Sequence, residues 1–434
     1  MRVLMLSPAF PPELTGSGTL YYELAGALVA KGHRVTVIVA RPRQRLGEQL
    51  LPARYRRGWL TREELDGIHV IRPATIPIPL GTPIGKGLDH LVLAMSYAIA
   101  GLLAEPPEAI LVYSPPLPLG LSAWFLARRW RVPFVMNVQD IFPQYAVDVG
   151  ILKSSVLIGV FKRLESFLYR RAARLTVHSA GNRQYLIRHR QVPPDKVEAI
   201  ANWVDANAQR DTVDSRRFRA ELGLTNQFLV VYGGTMGWAQ GLDVVLDAAA
   251  RLLAERDITF VLAGDGPCRE RLVRRVANEG LDNVRILPLQ PKDRYADMLD
   301  ACDIGLISLN ARLTTPVVPG KLFDIMASGR PVVGNVPLDG DAAQIVEESG
   351  AGLCVGADRC DELVAALLRL RNSPDLRASM GASGRQHVHA NYDKAARTDD
   401  YERLLMDVAQ ETHRGRLAAK APTERDVRRE VPPW

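Results

Sequence analysis

Residues 228–280 read FLVVYGGTMGWAQGLDVVLDAAARLLAERDITFVLAGDGPCRERLVRRVANEG, and their pattern sets the architecture. FLVVYGG and ITFVLAG are short runs rich in β-branched and aromatic residues, which predict strands. LDVVLDAAARLLAER and CRERLVRRVANEG repeat apolar residues at helical spacing. The glycine-rich loop TMGWAQG joins the first strand to its helix, and GDGP joins the second. Strands alternating with helices in this way pair in parallel, with helices covering both faces of the sheet.

The same plan opens the chain. VLMLS predicts a strand, FPPELTGSGTL a loop, YYELAGALVAKGH a helix ending at Gly32, and VTVIVA the next strand. More strands are expected at IHVIRP, AILVYS, PFVMNVQD and RLTVHSA, with helices over 86–105, 119–130 and 155–173. In the second half VRILPL, IGLISL, PVVGNV and GAGLCVG follow, and 361–389 reads as helical. Polar residues 206–226 form a linker with a short helix. The expected organisation is an α/β chain of two Rossmann-like, doubly wound domains, 1–205 and 227–389. A helix over 390–411 and a flexible basic tail over 412–434 complete it. Doubly wound sheets bind ligands beyond the carboxyl ends of their strands, so the two domains should face each other across a cleft.

Within the second domain, TTPVVPGKLFDIMASGRPVV (Thr314–Val333) carries the most chemistry. Pro316 and Pro319 stiffen a loop, Gly320 lets backbone approach a ligand, and a helix should start at Lys321. Lys321 and Asp324 then share one helical face, a cation for phosphate beside an acceptor for hydroxyls. That pairing suits a nucleoside diphosphate; an ordinary surface ion pair is the other reading. Gly233, Gly234 and Gly237 follow a strand and open a helix, as phosphate loops do, whereas Gly16 and Gly18 lack the third glycine of a dinucleotide fingerprint. Asp140 and His178 each end a parallel strand and can reach the cleft, Asp140 to bind an acceptor hydroxyl or act as general base. A turn cap and a core histidine are their structural alternatives. Asp339-Gly340-Asp341 spells a metal-binding D-x-D, yet Asp341 precedes AAQIVEESG as a helix N-cap would.

Composition narrows the function. With 434 residues and 47% hydrophobic content, the chain can bury two cores. Cys268, Cys302, Cys354 and Cys360 show no zinc spacing and read as reduced, buried thiols of a cytoplasmic protein. The opening MRVLMLS is too short for a secretory apolar region, and LDHLVLAMSYAIAGLL is too short to span a bilayer. Net charge is +7, and between Ile151 and Arg190 nine Lys and Arg residues face one acid, Glu165. With no nucleic-acid motif beside them, these bases point to an anionic membrane surface or simply to a solvated helix face.

FPPELTGSG with KGHRVTVIV, NWVD, GWAQGLDVVLDAA, FVLAGDGP, CDIGLISL, KLFDIMASGRPVV and AGLCV occur in the order of one family. The chain resembles retaining GT-B glycosyltransferases of family 4 from Val3 to about Val408. VQDIFPQYAVDVGIL is most similar to the bacterial exopolysaccharide and O-antigen branch, including colanic-acid and fucosamine-transferring types. The resemblance implies transfer from a nucleotide-diphosphate sugar to a lipid-linked glycan acceptor, with no metal, at the inner face of the cell membrane. It places the acceptor on the first domain and the donor on the second. Gly264 and Gly266 would lie near the nucleoside, backbone around Leu289 near the base, and Gly16 and Gly18 under the phosphates. Asp324 stands where the family has a ribose-binding glutamate, Pro316 where it has a second glutamate, and Gln240 where many members have a lysine. A sugar-nucleotide epimerase of related fold and a membrane-bound scaffold without activity are the rival readings.

Overall fold

A computed structural model describes residues 1–13, 16–42, 55, 58–75, 83–205 and 215–420. The first half builds strands β1 (Arg2–Leu6), β2 (Arg34–Ile38), β3 (Leu60–Leu65), β4 (Ile68–Pro73), β5 (Ala109–Ser114), β6 (Phe134–Val138), β7 (Arg174–Val177) and β8 (Val197–Ala199). They form one sheet in the order β3-β4-β2-β1-β5-β6-β7-β8, and every pair is parallel except β3 with β4. The helices are α1 (Gly16–Ala30), α2 (Pro83–Leu102), α3 (Leu119–Trp130), α4 (Gln144–Asp148), α5 (Ser155–Arg171) and α6 (Ala180–Arg190). FVMNV of β6 is buried at all five positions, which explains why such strands carry little alternation. Edge strand β3, LTREEL, alternates partial and full exposure; its charged spelling hid it from the sequence reading, and charge on an edge discourages pairing with other chains.

After α7 (Ser215–Glu221) the second half adds β9 (Phe228–Thr235), β10 (Ile258–Asp265), β11 (Val284–Leu287), β12 (Ile304–Ser308), β13 (Val332–Val336) and β14 (Gly352–Gly356). This sheet is wholly parallel, in the order β11-β10-β9-β12-β13-β14. Around it lie α8 (Asp243–Arg251), α9 (Arg269–Glu279), α10 (Lys292–Ala301), α11 (Lys321–Ala327), α12 (Asp341–Ser349), α13 (Cys360–Arg371) and α14 (Pro374–Asn391). Strand order reverses around β1 in one sheet and β9 in the other, which puts both ligand crevices at carboxyl strand ends.

The last helix, α15 (Lys394–Lys420), returns to the first domain. Its Tyr401, Leu404, Leu405 and Val408 enter the same apolar cluster as Val3, Tyr21 and Leu24. The helix runs on through residues expected to be a flexible tail from 412, as far as Lys420, the last described residue. Thr412 Oγ1 bonds the Val408 carbonyl, and Arg416 reaches the Trp130 carbonyl at 3.4 Å. Residues 206–214 of the expected linker and 421–434 of the expected tail lie outside the described residues. Cys268 and Cys302 are buried, whereas Cys354 and Cys360 are only partly so, and all four are free thiols. Gly16 and Gly18 fall in the first turn of α1 rather than in the preceding loop.

Candidate functional site

The site assembles where α11 begins, beneath the ends of β9 and β12. Lys321 is the first residue of α11, and its Nζ stands 3.6 Å from the centroid of the Tyr232 ring. Burial pushes the Lys321 pKa down to about 7, and the Asp324 carboxylate one turn on works in the opposite direction. Some of the side chain still meets solvent, so the crowding is that of a cleft wall rather than of a closed core. Asp324 accepts a hydrogen bond from the Tyr295 hydroxyl on α10, which fixes the carboxylate beside the lysine.

The glycines make room for these side chains. A Cβ on Gly233 would meet the Tyr295 ring at 2.3 Å, and one on Gly234 (φ +118°) would meet Lys321 Nζ at 3.4 Å. At Gly264 a Cβ would fall 1.8 Å from the Gly234 carbonyl oxygen, and at Gly266 (φ +146°) it would fall 2.6 Å from the Met236 carbonyl oxygen. Gly237 donates its N–H to Gln240 Oε1 at 3.0 Å, so Gln240 braces its own loop. Gly320 is exposed with open space around it, and Leu289 is 39% exposed two residues beyond β11. In the first domain, Gly18 lies against the Glu13 carbonyl, whereas Gly16 borders open space.

Across the cleft, Asp140 follows β6. Burial pushes its pKa up to about 6, and its charge is felt by both Tyr113 and Tyr145. Tyr145, on α4, is also an electrostatic neighbour of Tyr232. Together with Val149 it packs on the second domain's cluster of Leu322 and Phe323. Asp140, Tyr145, Tyr232 and Lys321 therefore form a chain of neighbours from one domain to the other. The sequence reading singled out none of Tyr113, Tyr145, Tyr232 and Tyr295; the adjacency of Tyr232 to Gly233 was the available signal.

His178 takes the structural alternative. It is buried, its Nε2 lies 3.0 Å from the Gln139 carbonyl, and burial lowers its pKa while that bond opposes the shift. Its Nδ1 has no hydrogen-bond partner among the described residues. Asp341 departs from its expected role. The N-cap of α12 is Gly340, and the Asp341 carboxylate instead accepts from the Gly181 N–H at 3.1 Å, at the start of α6 in the other domain. The side chain is drawn across the cleft because the α6 N-terminus offers free backbone donors. Two more contacts join the domains: Thr314 donates through N and Oγ1 to Asp148 Oδ2, each at 2.8 Å, and Lys292 pairs with Glu23 at 3.2 Å.

Known proteins match this architecture along most of its length. Residues 15–203 match the Glycosyl transferase 4-like domain, and residues 227–373 match Glycosyl transferases group 1. The chain is a GT-B glycosyltransferase. Among the relatives of this glycosyltransferase is WcaI of Escherichia coli K12, named for colanic acid biosynthesis. It is 26% identical over 384 residues, covering 85% of this chain and 91% of WcaI. The alpha-D-kanosaminyltransferase of Streptomyces kanamyceticus is 27% identical, over 66% of this chain and 73% of its own. In fold, the glycosyltransferase superposes on Anabaena HepE in complex with UDP-glucose with a TM-score of 0.71 at 18% identity, covering 94% of this chain and all of HepE.

Proposed function

We propose that the enzyme transfers a sugar from a nucleoside diphosphate donor to a lipid-linked glycan at the inner face of the cell membrane, with retention of configuration. The observation that carries this reading is the Lys321 ammonium on the Tyr232 face, with Asp324 fixed beside it by Tyr295. As the glycosidic bond breaks, charge collects on the departing diphosphate, and the Lys321 amine, held in place and protonated as the donor binds, stabilises it. In this reading Lys321, not a metal ion, supplies that charge. Asp324 receives the ribose hydroxyls. Pro316 presents no carboxylate to the sugar, so attack comes from the face the leaving group vacates. Asp140 holds the acceptor hydroxyl and takes its proton.

The colanic acid biosynthesis in the name of WcaI supports a role in building a cell-surface glycan, and the UDP-glucose in HepE supports a nucleotide-sugar donor. Lys153, Lys162, Arg163, Arg170 and Arg171 are exposed on or just before α5 and suit anionic headgroups. A panel of labelled nucleotide sugars, incubated with the enzyme and membrane extract, tests the reading. Labelled lipid should form with one donor and fall by about tenfold or more for Lys321→Ala. Conversion of the donor to a new nucleotide sugar without acceptor, or no labelled lipid with any donor, would reject it.

A further inference from the structure

Helix α2 carries an apolar stripe on its outer side. Leu88, Leu91, Met95, Ile99 and Leu102 are 51%, 44%, 64%, 49% and 41% exposed. At the helical repeat these positions fall within about 80° of arc and run for about 21 Å. The opposite side is committed to the fold: Leu93, Ala94, Tyr97 and Ala100 are buried, and Ser122 of α3 donates to the Ala94 carbonyl at 2.6 Å. From Leu91 to Ala104 the sequence has no charged residue. A water-facing helix normally shows the reverse, with polar residues outward.

Cations surround the stripe. A Cβ on Gly87 of α2 would lie 4.0 Å from the Phe161 ring of α5, so the two helices are neighbours. Val156 and Val160 of α5 are 73% and 50% exposed, with Lys153, Lys162 and Arg163 exposed around them. On α3, Phe125 is 43% exposed, and Arg128 and Arg129 are exposed near it. A second copy docked by two-fold symmetry would set these same cations against each other. Lipid phosphates meet them with opposite charge, and acyl chains take the stripe. Among the described residues no helix is long and apolar enough to cross a membrane, and half of α2 is held by α3. The helix therefore lies in the plane of the interface.

We infer that α2 is an interfacial anchor whose stripe from Leu88 to Leu102 sinks into the acyl layer of an anionic leaflet, while the cations of α3 and α5 hold the headgroups. The inference rests on the membrane-side reading of function and adds a component of binding that salt does not screen. Flotation of the full chain with vesicles of phosphatidylcholine and phosphatidylglycerol tests it. The parent should stay bound in about 1 M salt, where headgroup attraction is screened. The Leu91→Gln/Met95→Gln variant should lose about tenfold of that salt-resistant binding while keeping its melting temperature and its affinity for UDP. Lys162→Gln/Arg163→Gln should lose only the salt-sensitive part. Binding of L91Q/M95Q equal to the parent, or a parent dimer that the variant converts to monomer, would overturn the anchor. If all binding disappears in high salt, the anchor fails while electrostatic docking by α5 stands; if neither variant changes binding, both fail, and sugar transfer is still judged by the lipid-labelling assay.

Discussion

Lys321 Nζ stands 3.6 Å from the centroid of the Tyr232 ring, so the cleft holds the amine on an aromatic face, with the Asp324 carboxylate one turn on. Such a contact contributes about 0.5–2 kcal/mol. That is less than a direct charge-assisted bond to a diphosphate would offer. Removing it should therefore cost donor recognition more than folding. Lys321→Ala is expected to lower kcat/KM by about 10- to 150-fold, the loss of one charge-assisted bond. Its melting temperature should stay near the parent's, as read by calorimetry. Lys321→Arg should not restore activity, because Gly234 leaves a slot shaped to a narrow ammonium.

The position of that pKa also sets a pH dependence. Folding lowers the Lys321 pKa from the ordinary 10.5 to about 7. The neutral amine is thus favoured in the folded enzyme, and the stability it contributes is present above the unfolded pKa and lost as pH falls through 10.5 toward 7. A bound diphosphate reverses the preference and demands the charged form. Donor binding should therefore take up a proton above pH 7, and Kd for UDP should rise by up to about tenfold per pH unit there. Titration calorimetry in buffers of different ionisation heat measures the uptake. Binding with no uptake at pH 8 would show an ammonium already charged before the donor arrives.

Asp140 gives the opposite limb. Burial raises its pKa to about 6, so the carboxylate needed to accept a proton is present above that pH and lost below it. A plot of kcat/KM against pH should fall on the acid side with a midpoint near 6, and Asp140→Asn should remove that limb while lowering kcat by about 10²–10⁴-fold. The raised pKa means that the charged form costs stability in the range between the unfolded carboxylate value and 6 and above. Asp140→Asn should accordingly be more stable than the parent at pH 7, by about 1–3 °C in melting temperature, and no different at pH 3.

Glycines within a single motif should respond very differently. Gly264→Ala places a Cβ 1.8 Å from the Gly234 carbonyl oxygen, a backbone atom in a neighbouring parallel strand that cannot swing aside. A loss of about 3 kcal/mol or more is expected, seen as a lower urea midpoint and poor soluble yield. Gly320→Ala meets open space. It should fold as the parent does, and any effect should appear only in KM for the donor.

The alternation of strand and helix was readable because strands buried on both faces, such as AILVYS of β5, are short and mostly apolar runs. The start of α11 at Lys321 was readable for a similar reason: Pro319, Gly320 and a run of helix formers are local signals. What surrounds Lys321 was not. Tyr232 and Tyr295 lie far away in sequence, and the Tyr295 ring and Lys321 sit against β9 where Gly233 and Gly234 carry no side chain. Local spacing carries no record of which distant ring will fill such a space. Asp341 shows the same limit. Its position before a helix suggested a cap for that helix, whereas its carboxylate serves a helix 160 residues earlier. The charged edge strand β3 escaped notice because period-two burial is only partial there.

The Asp341 contact with Gly181 should govern how the two domains close. Ser179 already caps α6, its Oγ accepting from the Asn182 N–H at 3.1 Å, so α6 does not need Asp341 in order to form. The carboxylate adds instead a charge-assisted bond between domains, next to the Asp148–Thr314 contact on the same side of the cleft. Such a bond contributes about 1.5–3 kcal/mol, enough to shift an open–closed equilibrium by about tenfold or more. Asp341→Ala should therefore open the unliganded enzyme, increasing its radius of gyration in X-ray scattering, and should raise donor hydrolysis relative to transfer because water enters a loosened cleft. The exposed neighbour Asp339 supplies the control. Asp339→Ala should leave both readouts unchanged, and equal behaviour of the two variants would show that the Gly181 contact plays no part in closure.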